Sequence, residues 1–284
     1  MTNWLLGVIL GIVQGVSEWL PISSKTQIIV ASSYLFPGLP LSEAYAFGLF
    51  LEVGTFFAAL LYFRREVWTV LKALVGRGGE EGRLLLKYLV VVTAITAVLG
   101  VVIYKTVLTA VSETSPGSVF GLPMVVLGCV LIGDAVLITI SRGRYVPTKG
   151  LKDLRIRDLV IIGIAQGIAA LPGVSRSGAT VSVMLLLGVK PGESFRLSFL
   201  ALIPASIGAT GVTVLLSRTD ISAVVGTVTL PVILLAIMIT VLIGVVFIRV
   251  LLRAAGSSKI ALLTFVLGVL AVLSGVATLF TGAG

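Results

Sequence analysis

Long apolar stretches alternate with short polar connections along the chain. Six of these stretches have about the 20 residues that an α-helix needs to cross the hydrocarbon core of a bilayer. They span residues 43–63, 85–103, 118–140, 194–216, 227–249 and 259–280. The pattern therefore predicts an all-α polytopic membrane protein with six transmembrane helices.

Two further apolar regions, 3–38 and 158–190, are interrupted near their centres by polar residues, proline and glycine. The first contains Glu18, Pro21, Ser23, Ser24 and Lys25, and the second contains Pro172, Gly173, Ser175, Arg176, Ser177 and Gly178. Each half is too short or too polar for an independent crossing, so we predict two re-entrant helical hairpins. Non-helical backbone at membrane depth is tolerated where protein or a water-filled cavity surrounds it.

The composition agrees with a membrane protein and excludes several kinds of site. Hydrophobic residues make up 57% of the 284 residues, charged residues 12%, and the mean hydropathy is +1.17, whereas soluble domains have roughly a quarter charged residues. The chain has no histidine, which excludes imidazole bases and histidine metal ligands. Its single cysteine, Cys129, excludes an internal disulfide.

The basic residues predict the orientation of the chain. Most of the 21 Lys and Arg residues fall in the connections 64–87, 141–157, 190–196 and 249–259. Since cytoplasmic loops are rich in Lys and Arg, these connections should be cytoplasmic and the N-terminus outside. The net charge of +9 then reflects topology and attraction to anionic membrane lipids, and nucleic-acid binding is not expected.

The two interrupted regions resemble each other in sequence. Residues 11–16 (GIVQGV) match 163–168 (GIAQGI), and each motif is followed by Leu-Pro and a serine-rich turn with a basic residue. Repeats that enter the membrane from opposite faces place their site where they meet, near the midplane. We therefore predict inverted-topology repeats at about 1–140 and 155–284 within one membrane domain. The simpler alternative is two unrelated helices kinked by glycine and proline.

The two tips carry residues suited to phosphate chemistry. Gln14 and Glu18 share one helix face, and a serine hydroxyl needs a base such as Glu18 to become a nucleophile. Arg176 offers a bidentate fork for phosphate oxygens, beside a helix N-terminus that attracts anions. The expected substrate-binding residues are Gln14, Ser23, Lys25, Thr26, Gln27, Ser175, Ser177 and Thr180. An alternative is that Glu18 and Arg176 form a structural ion pair between the hairpins.

Two motifs give these residues a family resemblance. The segment 14–24 (QGVSEWLPISS) is similar to the (E/Q)xxxE and PxSS motifs of the undecaprenyl-diphosphate phosphatase family of the bacitracin-resistance type. The segment 171–180 (LPGVSRSGAT) is similar to its PGxSRSGxT motif, and Phe-Arg-Arg at 63–65 extends the similarity. The resemblance implies six transmembrane helices with two re-entrant hairpins. It also implies removal of the terminal phosphate of a polyprenyl diphosphate at the outer face of the plasma membrane, assisted by Mg²⁺ or Ca²⁺.

The resemblance also assigns roles to individual residues. Glu18 would bind metal or assist proton transfer, Ser24 would be the nucleophile, and Arg176 would bind phosphate. Many family members have Thr-Gly-His after the paired serines, where this chain has Lys25-Thr26-Gln27. Either that histidine is dispensable or catalysis has been lost. Lys25 would either steady the diphosphate charge or extend towards the outer headgroups.

Two further acidic residues, Glu52 and Asp134, lie within the predicted spans. Glu52 is expected either to line the cavity or to form a structural pair, with equal weight. Asp134 is expected to pair with Arg142 or Arg144.

Two rival functions remain at this stage. A transporter or flippase for a polyprenyl phosphate would use the same architecture without hydrolysis, and a non-catalytic membrane subunit is a weaker alternative. Phosphate release from a polyprenyl diphosphate separates the first two. No cleavable signal peptide is expected, and a homodimer is compatible with the sequence.

Overall fold

The computed structural model of the chain describes residues 4–35, 41–111, 116–141, 147–171, 173–216, 229–255 and 260–281. Nearly all of these residues are helical, and none of them belongs to a β-strand. The helices are α1 (Trp4–Ser17), α2 (Ser24–Leu35), α3 (Leu41–Tyr62), α4 (Arg64–Leu74), α5 (Gly79–Val111), α6 (Pro116–Ser141), α7 (Ile156–Ile168), α8 (Arg176–Leu186), α9 (Pro191–Leu216), α10 (Leu230–Ala255) and α11 (Ile260–Thr281). A short 3₁₀ helix, Leu151–Asp153, precedes α7.

Each of the six apolar stretches coincides closely with one helix, namely α3, α5, α6, α9, α10 and α11. Within the described residues, three segments are long and apolar enough to cross a membrane: Gly79–Ile103, Leu230–Ala255 and Ala261–Phe280. The prediction of an all-helical fold is therefore confirmed, and these segments give the chain the character of a membrane protein. The count of six crossings stays a prediction.

Both predicted helix interruptions are present. The first separates α1 from α2 over residues 18–23, and the second separates α7 from α8 over the described residues 169–171 and 173–175. Gly173 in the second interruption has a φ of +84°, a conformation that glycine adopts without steric cost. The candidate site lies at these interruptions and at the start of the helix that follows each of them. We call residues 18–25 tip 1 and residues 173–178 tip 2.

Glycine faces on α1 and α7 allow close packing against distant helices. A Cβ atom on Gly11 of α1 would lie 2.6 Å from the carbonyl oxygen of Ala236 on α10, and one on Gly163 of α7 would lie 2.9 Å from the Cβ of Ile95 on α5. Small residues at helix interfaces in membranes permit this approach of the backbones. The first helix of each interrupted pair therefore packs on a helix from the other half of the chain.

The helix α4 is a feature that the hydrophobic pattern did not predict, because residues 64–87 were interpreted only as a basic connection. Its sequence (RREVWTVLKAL) separates basic and apolar residues onto different faces. Trp68, Leu71 and Leu74 are exposed, and the ammonium group of Lys72 lies 5.7 Å from the centre of the Trp68 ring. Such a helix is typical of the membrane interface.

Aromatic contacts fix tip 1 against α9. The rings of Trp19 and Phe199 meet edge to face with their centroids 5.1 Å apart, and both side chains are fully buried. On the same helix, the carbonyl oxygen of Leu197 accepts a 3.0 Å hydrogen bond from the hydroxyl group of Tyr88 on α5. The backbone around the site is thus held by α5 and α9.

Candidate active site

An ion pair between the two tips forms the centre of the site. The Nη2 atom of Arg176, at the start of α8, donates a 2.7 Å hydrogen bond to the Oε1 atom of Glu18. The side chains are 14% and 4% exposed, respectively. The predicted meeting of these two residues, 158 positions apart in the sequence, is confirmed. Each charge compensates the other, which a buried ionic group requires.

The second oxygen atom of Glu18 is held by residues of its own hairpin. Its Oε2 atom accepts a 2.9 Å hydrogen bond from Nε2 of Gln14 and a 2.7 Å hydrogen bond from the Oγ atom of Ser24. The side chain of Gln14 lies next to that of Glu18 because residues four positions apart share one face of a helix. Ser24 thus has a carboxylate base in direct contact, which is the arrangement that activates a hydroxyl nucleophile.

The serine hydroxyls of tip 2 hold the backbone of tip 1. Ser175 and Ser177 donate to the carbonyl oxygen of Leu20 at 3.1 and 2.9 Å. Ser175 also caps α8 by accepting a hydrogen bond from the backbone N–H of Gly178. Their predicted contact with substrate stays a prediction, because the contacts described here are with the protein backbone.

Thr180 is oriented by α8 and α9. Its Oγ1 atom lies 2.8 Å from the carbonyl oxygen of Arg176 and 2.6 Å from the Oγ atom of Ser198. The residue is fully buried. Thr180 therefore connects the start of α8 to α9, directly beside the guanidinium-bearing residue.

The other polar residues of the first hairpin have different surroundings. The Oγ atom of Ser23 accepts a 3.4 Å hydrogen bond from the backbone N–H of Thr26 and caps α2. Thr26 is fully buried, and its hydroxyl has no hydrogen-bond partner among the described residues. Gln27 donates from Nε2 to the hydroxyl of Ser274 on α11. At the position where the family resemblance implies a histidine, the side chain of Gln27 is thus directed to α11.

Lys25 and Glu52 form a second ion pair. The Nζ atom of Lys25 lies 2.6 Å from the Oε1 atom of Glu52, and the two side chains are 19% and 6% exposed. Both residues line the cavity described next. The two alternatives for Glu52, cavity lining and pairing, therefore both hold, and the ammonium group of Lys25 ends on a carboxylate inside the protein.

A cavity of about 170 Å³ lies against these charged residues. Lys25, Glu52 and Arg176 line it, and the Nη1 atom of Arg176 has no hydrogen-bond partner in the described part of the chain. Glu18 and Ser24 are absent from its lining and adjoin it through Arg176. The remaining wall consists of polar and of small or apolar residues: Thr93, Thr96, Gln166, Ser206, Ala97, Gly100, Val101, Gly167, Ala169, Ala170, Pro204, Ala205, Gly208 and Ala209.

Sequence reasoning missed the polar residues of this wall. Thr93 and Thr96 lie within the long apolar helix α5 and carry no motif. The sequence does offer an indication for Gln166, because this residue occupies the position in the motif GIAQGI that Gln14 occupies in the motif GIVQGV. Its place in the cavity lining makes it a candidate for contact with a ligand.

Asp134 on α6 lies apart from this arrangement. It is buried, and its Oδ2 atom has no hydrogen-bond partner among the residues that the structure describes. Its predicted partners, Arg142 and Arg144, lie outside the described residues. That pairing stays a prediction.

The described residues contain no group of three or more acidic, cysteine or histidine side chains that would hold a metal ion without substrate. The carboxylates beside the cavity, Glu18 and Glu52, are each paired with a basic side chain. Mg²⁺ is commonly bound by one or two carboxylates together with water and substrate phosphates. The donor set fits a cation that arrives with a phosphorylated substrate.

Comparison with known proteins places the chain in a family. A family model described as Bacitracin resistance protein BacA matches residues 7–273. The undecaprenyl-diphosphatase of Saccharolobus solfataricus is 52% identical over 277 residues, which cover 97% of both chains. The proteins of the same name from Sulfurisphaera tokodaii and Pyrobaculum aerophilum are 43% and 42% identical over 279 and 275 residues. These alignments cover 98% and 95% of this chain and 99% and 97% of the relatives. The chain therefore belongs to the bacitracin resistance protein BacA family.

Proposed function

We propose that this protein is a polyprenyl-diphosphate phosphatase that releases the terminal phosphate and leaves the lipid monophosphate. The names of the relatives support this activity. The observation that carries it is a chain of contacts at the cavity. Arg176 lines the cavity and has an Nη1 atom without a hydrogen-bond partner among the described residues. Its Nη2 atom bonds to Glu18, and Glu18 bonds to the hydroxyl of Ser24. A phosphate-binding group, a base and a nucleophile are thus joined by hydrogen bonds.

The cavity provides for both parts of the substrate. Arg176 and Lys25 supply positive charge for the diphosphate, and the N-terminus of α8 adds its dipole and free N–H groups. The wall of alanine and glycine residues on α5 and α9 accommodates the start of the prenyl chain. Arg176 binds the terminal phosphate through Nη1 without first releasing Glu18.

The reaction follows from this arrangement by one of two routes. In the covalent route, the Oγ atom of Ser24 attacks the terminal phosphorus and its proton passes to Glu18. The bond from that phosphorus to the bridging oxygen breaks, and the electron pair stays on the lipid monophosphate. Water then hydrolyses the phosphoserine to inorganic phosphate. In the direct route, water attacks the phosphorus and Glu18 accepts the proton from water. Both routes depend chiefly on positioning and electrostatic stabilisation.

A divalent cation, Mg²⁺ or Ca²⁺, is expected to take part. Glu18 and Glu52 would hold it together with phosphate oxygens, and it would neutralise phosphate charge. Arg176 and Lys25 already neutralise much of the charge of both carboxylates. The contribution of the cation should therefore depend on bound substrate.

We further propose six transmembrane helices and two re-entrant hairpins in inverted repeats, with basic connections in the cytoplasm and the site open to the outer face of the plasma membrane. The packing of α1 on α10 and of α7 on α5 supports the repeats. Arg196 at the start of α9 lies 3.7 Å from Glu66 and 3.2 Å from Glu81. These contacts support one common side for the connections 64–87 and 190–196.

The test is phosphate release by the purified protein from farnesyl diphosphate with Mg²⁺ or Ca²⁺. We expect Arg176→Ala to lower kcat/KM by about 10²–10³-fold, as the loss of a group that stabilises developing charge does. Arg157→Ala, which removes a largely exposed arginine side chain, is the matched control and should retain normal activity. Near-normal turnover in Arg176→Ala would remove that residue from the site. No release by the wild-type protein would favour the transporter alternative.

A further inference from the structure

A second polar group lies on the cavity wall and has no part in the ion pairs. Gln166 of α7 is 2% exposed, and its Nε2 atom donates a 3.2 Å hydrogen bond to Oγ1 of Thr96 on α5. The hydroxyl of Thr96 in turn donates to the carbonyl oxygen of Gly163 at 3.2 Å. One turn earlier on α5, Thr93 also lines the cavity. Together Gln166, Thr96 and Thr93 form what we call the neutral wall.

The neutral wall has unused hydrogen-bonding capacity. The Oε1 atom of Gln166 and the Oγ1 atom of Thr93 are buried and have no hydrogen-bond partner among the described residues. The amide of Gln166 has two N–H donors, of which the contact with Thr96 uses one. Buried polar groups without partners are uncommon in folded proteins. Both residues line the cavity, so the hydroxyl of Thr93 and the second N–H of Gln166 are available as donors to a ligand, whereas the Oε1 atom of Gln166 can only accept.

Comparison with Gln14 indicates the charge of that ligand. Gln14 donates to the carboxylate of Glu18, four residues later in the chain. The residue four positions after Gln166 is Ala170, which also lines the cavity. Beside Gln166, the cavity therefore occupies the place that the carboxylate of Glu18 occupies beside Gln14. An oxygen of a bound anion can occupy that space and accept the hydrogen bond that a carboxylate accepts in the first hairpin.

The same helices that carry the neutral wall also supply apolar lining. Ala169 follows Gln166 by three residues, and Ala97 and Gly100 follow Thr96 on α5. Arg176 and Lys25 supply the charged lining. In a polyprenyl diphosphate, the phosphate bonded to the prenyl oxygen lies between the terminal phosphate and the hydrocarbon chain. We call this phosphate the inner phosphate. The neutral wall offers polar groups for the inner phosphate, and the neighbouring alanine and glycine residues offer an apolar surface for the adjoining prenyl chain.

We propose that Gln166 and Thr93 bind the inner, lipid-side phosphate of the diphosphate, an inference that rests on the proposed phosphatase function. When the bond between the terminal phosphorus and the bridging oxygen breaks, the electron pair remains on that oxygen, which stays with the inner phosphate. A donor already placed at this phosphate stabilises the developing charge of the leaving group. Gln166 and Thr93 then distinguish the lipid monophosphate product from free phosphate.

The experiment measures product inhibition of farnesyl diphosphate hydrolysis by two compounds. Farnesyl monophosphate contains only the inner phosphate and the lipid, whereas inorganic phosphate is expected to compete at Arg176. We expect Gln166→Met, which removes the amide at similar size, to raise the inhibition constant of farnesyl monophosphate about tenfold, the loss of one hydrogen bond to a charged group. The inhibition constant of inorganic phosphate should stay the same in this variant.

Thr93→Val provides a second variant of unchanged shape. Since the hydroxyl of Thr93 has no partner in the described part of the chain, its removal should not destabilise the fold, so a raised inhibition constant would report a ligand contact. The matched control is Thr139→Val on α6, whose hydroxyl donates to the carbonyl oxygen of Ala135 away from the cavity.

Three results would overturn the proposal. The first is a wild-type inhibition constant for farnesyl monophosphate in both variants. The second is an equal rise for both inhibitors, which would indicate a general distortion of the site. If the wild-type protein releases no phosphate, the phosphatase function fails instead. Direct calorimetric titration with farnesyl monophosphate then tests the subsite, and equal affinity of the wild-type, Gln166→Met and Thr93→Val proteins is the third result that would overturn it.

Discussion

The two tips carry related sequences but place their polar groups differently. In tip 1, the side chains of Glu18 and Ser24 bond to each other, and Lys25 reaches the cavity. In tip 2, Ser175 and Ser177 bond to the backbone of tip 1. Arg176 lines the cavity and keeps one guanidinium nitrogen without a partner among the described residues. The difference shows that two motifs of similar sequence can have different contacts and therefore different roles. In the proposed reaction, tip 1 supplies the reacting groups, and tip 2 supplies one binding group together with the contacts that hold tip 1 in place.

The change expected to have the largest effect is Glu18→Gln in tip 1. It removes the proton acceptor and leaves the guanidinium of Arg176 without its counter-charge, so kcat should fall by about 10²–10⁴-fold. Steady-state phosphate release measures it, with Glu80→Gln on the exposed start of α5 as control. If kcat remained near the wild-type value, the reacting base would have to be another carboxylate, and the division between the tips would fail.

Ser24→Ala should have the next largest effect and distinguishes the two routes of attack. In the covalent route, activity falls to the background level and no phosphorylated protein accumulates with labelled substrate. In the direct route, much of the activity remains, because Glu18 still activates water. Ser32→Ala on α2 is the matched control, since Ser32 is a buried serine whose hydroxyl has no partner among the described residues.

Ser177→Ala in tip 2 should affect stability more than chemistry. The Oγ atom of Ser177 lies 2.9 Å from the carbonyl oxygen of Leu20, 3.4 Å from that of Glu18 and 3.2 Å from the Oγ atom of Ser175. The carbonyl oxygen of Leu20 keeps its hydrogen bond from Ser175, and the one proton of the Ser177 hydroxyl makes a single donated bond, worth about 0.5–1.5 kcal/mol. Thermal unfolding in detergent, read beside turnover, checks this expectation. A large loss of kcat at unchanged thermal stability would show instead that Ser177 contacts the substrate, as the family resemblance implies.

Gln27→Ala should give the smallest loss of turnover of the four variants. The side chain of Gln27 bonds to Ser274 on α11, whereas the reacting groups gather around Glu18. Turnover and thermal stability of Gln27→Ala and Ser274→Ala would be compared. Equal small losses of stability in both variants support a role in packing α2 on α11. A loss of turnover as deep as that of Glu18→Gln would place Gln27 among the reacting groups.

The sequence predicts the fold well because membrane helices are long and apolar and their interruptions are conspicuous. Both helix interruptions and the contact between Glu18 and Arg176 follow from the motifs. The pairing of Lys25 with Glu52 does not follow, because it depends on how α2 packs on α3. The sequence likewise gives no means of separating serines that bond to backbone from serines that face a cavity.

The neutral wall shows the same limit. Gln166 is conspicuous in the sequence, whereas Thr96 is an ordinary residue of an apolar helix. Their hydrogen bond joins residues 70 positions apart. It exists because Gly163 lets α7 approach α5 closely. Long-range packing, rather than local pattern, therefore decides which polar side chains reach the cavity.

The hydrogen bonds that Ser175, Arg176 and Ser177 donate to tip 1 have a consequence for biosynthesis. During translation, the carboxyl group of Glu18 and the carbonyl group of Leu20 wait for partners that the ribosome adds more than 150 residues later. Until then, Glu18 lacks its guanidinium counter-charge, and Gln14 and Ser24 are the partners available to its carboxylate. In the proposed re-entrant topology, the first hairpin therefore reaches its final burial only after the second half has been inserted.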